Sequence, residues 1–127
     1  MRLALHKIAW LGAAMLAPFS LYSVSEAHHS FAVYDFTQEI PFEGVVDTLN
    51  FKNPHIAMTL KVTLEDGKTE TINFIEGAPA NMLVRNGLRP NMIQPGTKIT
   101  AIGSPLRDDP TQFFLRRVIL EDGREFQ

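Results

Sequence analysis

His55-Ile-Ala-Met-Thr-Leu-Lys-Val-Thr-Leu64 alternates without a break: Ile56, Met58, Leu60, Val62 and Leu64 fall on one face, and His55, Ala57, Thr59, Lys61 and Thr63 on the other. A period of two is the pattern of a half-buried strand. Asp66-Gly67 follows at once and supplies a hairpin turn. Thr69 to Ile75 then reads as the return strand, with Glu70, Ile72 and Phe74 opposite Thr69, Thr71, Asn73 and Ile75. Upstream, Phe42 to Phe51 reads as another strand, with Gly44 marking a bend or bulge. Asn53-Pro54 is a turn between the two.

Downstream, Ala78 to Asn86 is the one good helix candidate, with Pro79 in its first turn, Gly87 at its C-terminal cap and Met82 and Leu83 as a small apolar face. After the Pro95-Gly96 turn, Thr97 to Gly103 and Gln112 to Leu120 give two more strands, joined by a polar loop over Arg107 to Thr111. Leu-Glu-Asp-Gly occurs at 64–67 and again at 120–123, which reads as one hairpin chemistry used twice. Three strands, a helix and two strands predict a mainly β chain. The expected fold is a small five-stranded OB-like barrel with one short helix between strands 3 and 4, with an open sandwich as the alternative.

The N-terminal stretch reads differently. Arg2 and Lys7 precede a mostly apolar run from Ile8 to Tyr22, and Ser25-Glu26-Ala27 offers small residues for cleavage after Ala27. These are the three parts of a secretory signal peptide, and the apolar run is short for a membrane span. The expected organisation is a signal peptide over 1–27 and a single β-barrel domain over 28–127, periplasmic or secreted, with no stable membrane insertion after cleavage. Removing residues 1–27 takes Arg2, Lys7 and Glu26 and moves the formal net charge from −2 to −3. An acidic chain speaks against nucleic-acid binding. The absence of cysteine excludes disulfides, CxxC redox sites and thiolate zinc sites.

Catalytic patterns are scarce. Ser30 and Ser104 are the serines beyond residue 27, and no GxSxG or glycine-rich phosphate loop surrounds them. Histidine carries the sharper signal. Cleavage after Ala27 makes His28 the first residue, so that its amine and imidazole Nδ1 chelate one metal ion together. A third nitrogen completes the tetragonal set that copper(II) prefers. His55, at a strand start beside a proline turn, is the best third donor. His29 and Glu76 are auxiliary candidates, and zinc is the alternative ion. Glu76 also has an ordinary reading as a cap for the helix start. His28 and His29 have one as a mobile polar terminus.

His28-His29-Ser30-Phe31 after a signal peptide, then Gly44-Val45-Val46, Asn53-Pro54-His55, Glu76, Pro95-Gly96-Thr97 and Leu120-Glu121-Asp122-Gly123, resembles a family of exported bacterial proteins catalogued as a domain of unknown function. The resemblance implies a small β-barrel and a site at the histidines and Glu76, and it brings no activity. It also implies tryptophans at places that here read Ile56-Ala57-Met58, Asn73-Phe74 and Gly87-Leu88, so no role for tryptophan stacking follows.

Two functions are therefore expected. The first is a periplasmic metal-binding module for copper(II), chelating or delivering the ion, without catalysis. The second is a non-enzymatic ligand or protein interaction module with structural histidines and a periplasmic partner. In that reading Phe113 and Phe114 cannot both point inward, and Arg116 and Arg117 either hold an anion or sugar or form a solvated face.

Overall fold

The strand β1 (Ile40–Asn50) is long because it serves two partners in turn. In the computed structural model, which describes residues 31–127, Ile40 to Val45 pair antiparallel with β4 (Lys98–Pro105) and Val45 to Asn50 with β2 (Ala57–Thr63). Val45 is the changeover, opposite both Lys61 and Lys98. A strand shared in this way must coil, and coiling brings backbones together at the changeover. Gly44 stands there. A Cβ built on it would run into the Lys61 carbonyl oxygen, so a residue with a side chain does not fit. The bulge expected at Gly44 lies instead at Asp47, the extra residue between the Val46–Leu60 and Thr48–Thr59 pairs.

The remaining pairings close the ring. β2 pairs with β3 (Thr69–Gly77), β4 pairs with β5 (Gln112–Leu120), and β3 runs parallel to β5. The result is a closed five-stranded barrel of OB-like topology, with helix α1 (Ala80–Arg85) between β3 and β4, and not an open sandwich. A sixth strand of two residues, β6 (Glu125–Phe126), extends the sheet beside β5 and was not legible as a strand. Val46, Met58, Leu60, Phe74, Ile99 and Phe113 fill the interior, and Leu83, Leu88 and Ile93 pack on it from the helical connection.

Several details depart from strict alternation. Leu64, expected in the core, is 41% exposed because β2 ends at Thr63. On α1 the buried residues are Ala80 and Leu83, while Met82 faces outward. On β5 the alternation puts Phe113 inside and Phe114 outside. An extra residue at Arg116 then turns both arginines outward and returns Val118 to the core.

The repeated Leu-Glu-Asp-Gly segments do form the same turn. In each, the leucine N–H donates to a carbonyl four residues on, and the glycine N–H donates back to the leucine carbonyl. Gly67 and Gly123 take φ of 81° and 86°, a region that favours glycine. A second repeat, Asp-x-Thr-Gln at 35–38 and 109–112, is also one turn used twice. Each aspartate accepts from the threonine N–H and hydroxyl and from the glutamine amide. Among the described residues no helix is long and apolar enough to cross a membrane.

Replacing Gly44 with alanine forces β1 and β2 apart at the point where the barrel closes. Gly44→Ala is expected to lower the unfolding free energy by about 3 kcal/mol, the upper part of the range for overpacking. Urea denaturation measures it; a loss below about 0.5 kcal/mol, the scatter of ordinary surface substitutions, would refute the close-approach argument.

Candidate functional site

Strict alternation along β3 would carry Glu76 into the core behind Ile72 and Phe74. It does not, because β3 has one residue more than β5 between the Phe74–Phe113 and Glu76–Phe114 pairs. The surplus residue, Ile75, is 43% exposed, and Glu76 is turned to the outer side opposite Phe114. A bulge of this kind re-aims a side chain without changing the sheet around it.

His55 lies in the turn before β2. Its neighbour Ile56 donates its N–H to the Ala78 carbonyl, which docks the turn on the end of β3. The His55 Nδ1 atom is 2.8 Å from the Gly77 carbonyl oxygen, and Nε2 is 3.2 Å from Glu76 Oε1. The second carboxylate oxygen, Glu76 Oε2, accepts the Tyr34 hydroxyl at 2.8 Å. Tyr34 is almost fully buried. Burial first, and then the Glu76 carboxylate, push its phenol well above the ordinary value, so it stays a proton donor.

The partners decide the protons. A carbonyl oxygen only accepts, so Nδ1 carries a hydrogen. An ionised carboxylate also only accepts, and a neutral imidazole has just one N–H. Nε2 and Oε1 therefore need a positive charge between them, either a further proton or a metal ion. Metal-ligating histidines characteristically donate the other ring N–H to a carbonyl, and His55 has that support in place.

Of the four candidate ligands, the structure brings together His55 and Glu76. His28, His29 and the segment read as a signal peptide, 1–27, lie outside the described residues. Among the described residues no group of three or more histidine, cysteine, aspartate or glutamate side chains is placed to hold a metal ion. Glu76 does not cap the helix. The Asn81 N–H donates to Asn53 Oδ1 instead, and the first turn holds no acidic residue.

Sequence reading missed Tyr34, whose only signal was its place in the alternating arm after the histidines. That arm packs on the outside of β5: Phe31, Tyr34 and Phe36 surround Phe114 with ring centroids 5.9, 5.3 and 5.3 Å away. Phe114 thus points outward beneath the arm and is no free contact. Arg116 lies 5.0 Å over the Phe36 ring and joins Arg117 on Glu39, and Arg117 also holds Glu125, so their partners are the protein's own carboxylates.

The family match runs over residues 17–113. The chain belongs to DUF6152, a family of unknown function. No curated protein and no solved structure matches the chain. The DUF6152 span includes Tyr34, His55 and Glu76 and ends at Phe113, just before the aromatic cluster's central ring.

The Tyr34 bond has a pH signature. The unfolded chain gives up the phenol proton near 10.0, while the folded protein holds it to higher pH. Between those values the unfolded state binds fewer protons, so stability falls as pH rises. Tyr34→Phe is expected to abolish that alkaline slope and to cost about 1.5–3 kcal/mol at neutral pH, the range for a hydrogen bond to a charged group. Urea midpoints taken from roughly pH 8 to 11, on either side of the ordinary phenol value, check both statements.

Proposed function

We propose that this chain is an exported, periplasmic metal-binding module for copper(II), in which the His28 amine and imidazole and the His55 imidazole hold the ion. Glu76 and His29 assist, zinc is the alternative ion, and the task is chelation or delivery. The observation that carries the reading is the His55 ring. Its Nδ1 is occupied by the Gly77 carbonyl, and its Nε2 faces a carboxylate that cannot donate to it. A metal ion supplies the missing positive charge and uses Nε2 and Oε1 as donors.

Chain reach supports the rest. Phe31 packs on Phe114, the residue paired with Glu76 across β3 and β5. Three residues of extended chain reach about 10 Å, so His28 is within range of that wall. A set of three nitrogens and one carboxylate suits copper(II), which binds tightest among the divalent first-row ions.

One observation favours the interaction module with structural histidines. Both Glu76 oxygens are already engaged, by His55 and Tyr34, and with a proton on Nε2 the trio pins the N-terminal arm and the 51–56 turn to the barrel without any metal.

Native mass spectrometry of the full chain exported by a bacterial host, before and after one equivalent of copper(II), decides between them. The expected result is a mass starting at His28 that retains one copper through buffer exchange, with retention lost in His28→Ala and His55→Ala. Glu76→Gln, which takes the charge from the Oε1 donor, is expected to weaken binding at least about tenfold, the lower end of what even an outer-shell partner costs. A mass starting at His28 without retained copper overturns the reading, as does a mass starting elsewhere.

A further inference from the structure

Four side chains form one row across four strands. Thr48 on β1 is opposite Thr59 on β2, Thr59 is opposite Asn73 on β3, and Asn73 is opposite Gln112 on β5. Directly opposed residues project from the same face of a sheet. The flanking Met58, Leu60, Ile72 and Phe74 are buried, so the row lies on the outer face. At about 4.8 Å between strands it is about 14 Å long.

The row crosses an open depression of about 530 Å³, whose apolar lining includes Ala57 and Ile75. That volume is in the range of small-molecule sites. No charged side chain lines it. Other depressions on this barrel differ: one of about 310 Å³ is lined by Glu43, Lys98 and Glu121, and one of about 260 Å³ by Asp35 and Arg107.

The chemistry of the row selects the ligand. Lysine and arginine only donate hydrogen bonds, and ionised carboxylates only accept them. Threonine hydroxyls and asparagine or glutamine amides do both. Gln112 places one amide hydrogen on Asp109 and keeps its second hydrogen and its oxygen. The Thr48 and Thr59 hydroxyls bond each other at 2.8 Å, and Thr59 also donates to Asp47 Oδ2 at 3.4 Å, so these two offer a ligand their lone pairs. Asn73 and Gln112 both donate and accept, and a row of that kind matches a ligand whose polar groups do both, and those are hydroxyls. Ile75, on the same outer face of β3 as Asn73, gives the depression an exposed apolar wall for a C–H surface. A phosphate backbone would find no cation here. An extended peptide would find no free strand edge, because Thr59 and Asn73 each have a strand on both sides.

We infer that this outer face of β1, β2, β3 and β5 binds a neutral sugar chain, with Thr59, Asn73 and Gln112 on its hydroxyls and Ile75 and Ala57 against a ring face. The test is an NMR titration of the full-length ¹⁵N-labelled chain, as exported, with EDTA present. The probes are chitotetraose, cellotetraose and maltotetraose, with tetra-alanine and a single-stranded oligothymidylate as controls.

At least one sugar is expected to shift the amide signals of Thr59, Asn73 and Gln112 saturably. Asn73→Ala, an exposed position, is expected to weaken that binding about tenfold, the equivalent of one lost hydrogen bond, with the rest of the spectrum unchanged. Three outcomes overturn the inference: no saturable shift by any of the sugars up to about 10 mM, above the millimolar Kd of a weak complex; shifts confined to another part of the barrel; or shifts at this face with a control and not with the sugars. EDTA makes the result independent of the metal site, so failure of one reading leaves the other standing.

Discussion

The close approach of β1 to β2 at Gly44 is the constraint on which the rest of the molecule depends. With no side chain there, β1 can leave β4 and join β2 within one strand, and the sheet curls far enough for β3 to meet β5. That last pairing is parallel and joins segments far apart in sequence. It is also where both surfaces of functional interest are made. The same register that closes the barrel sets Glu76 beside Phe114 and Asn73 beside Gln112. Barrel closure and site assembly are one event, and a chain unable to close here would have neither the His55–Glu76 pair under its arm nor the neutral row.

The surplus residue on β3 turns Glu76 out of a core that would otherwise have to accommodate a carboxylate. An unpaired carboxylate inside the barrel would be very costly. Outside, it meets one buried phenol that donates and one imidazole fixed through its other nitrogen. The geometry leaves a single place, between Nε2 and Oε1, where positive charge must enter.

Much of this was legible because alternation is a direct consequence of strand geometry. The unbroken run from His55 to Leu64, the Asp-Gly turns and the proline and glycine around Ala80–Arg85 gave five strands and a helix in the observed order. The illegible parts are those where alternation fails. Ile75 and Arg116 are ordinary residues, and nothing in their side chains announces an extra position; only the partner strand, read in register, reveals it. Tyr34 was hidden for a related reason. Its partner Glu76 is 42 positions away, and the arm that carries it makes one isolated bridge to Leu106 instead of a strand. His55 stood out because it begins a strand beside a proline turn. Glu76 stood out because it follows an apolar pair, and the capping role first considered for it falls to Asn53.

The distribution of charge separates His55–Glu76 from the other ion pairs. Glu43 with Lys98, Asp47 with Lys61, and Glu39 with Arg116 and Arg117 join carboxylates to side chains that keep their charge, and they lie across strands on the barrel surface. Such pairs neutralise one another and add little to stability when solvated. The pair at His55 joins a carboxylate to an imidazole fixed through its other nitrogen, and it lies in a partly sheltered place with a buried donor behind it. Its carboxylate is shared between a ring nitrogen and a buried phenol, whereas those of the surface pairs named above meet lysine or arginine.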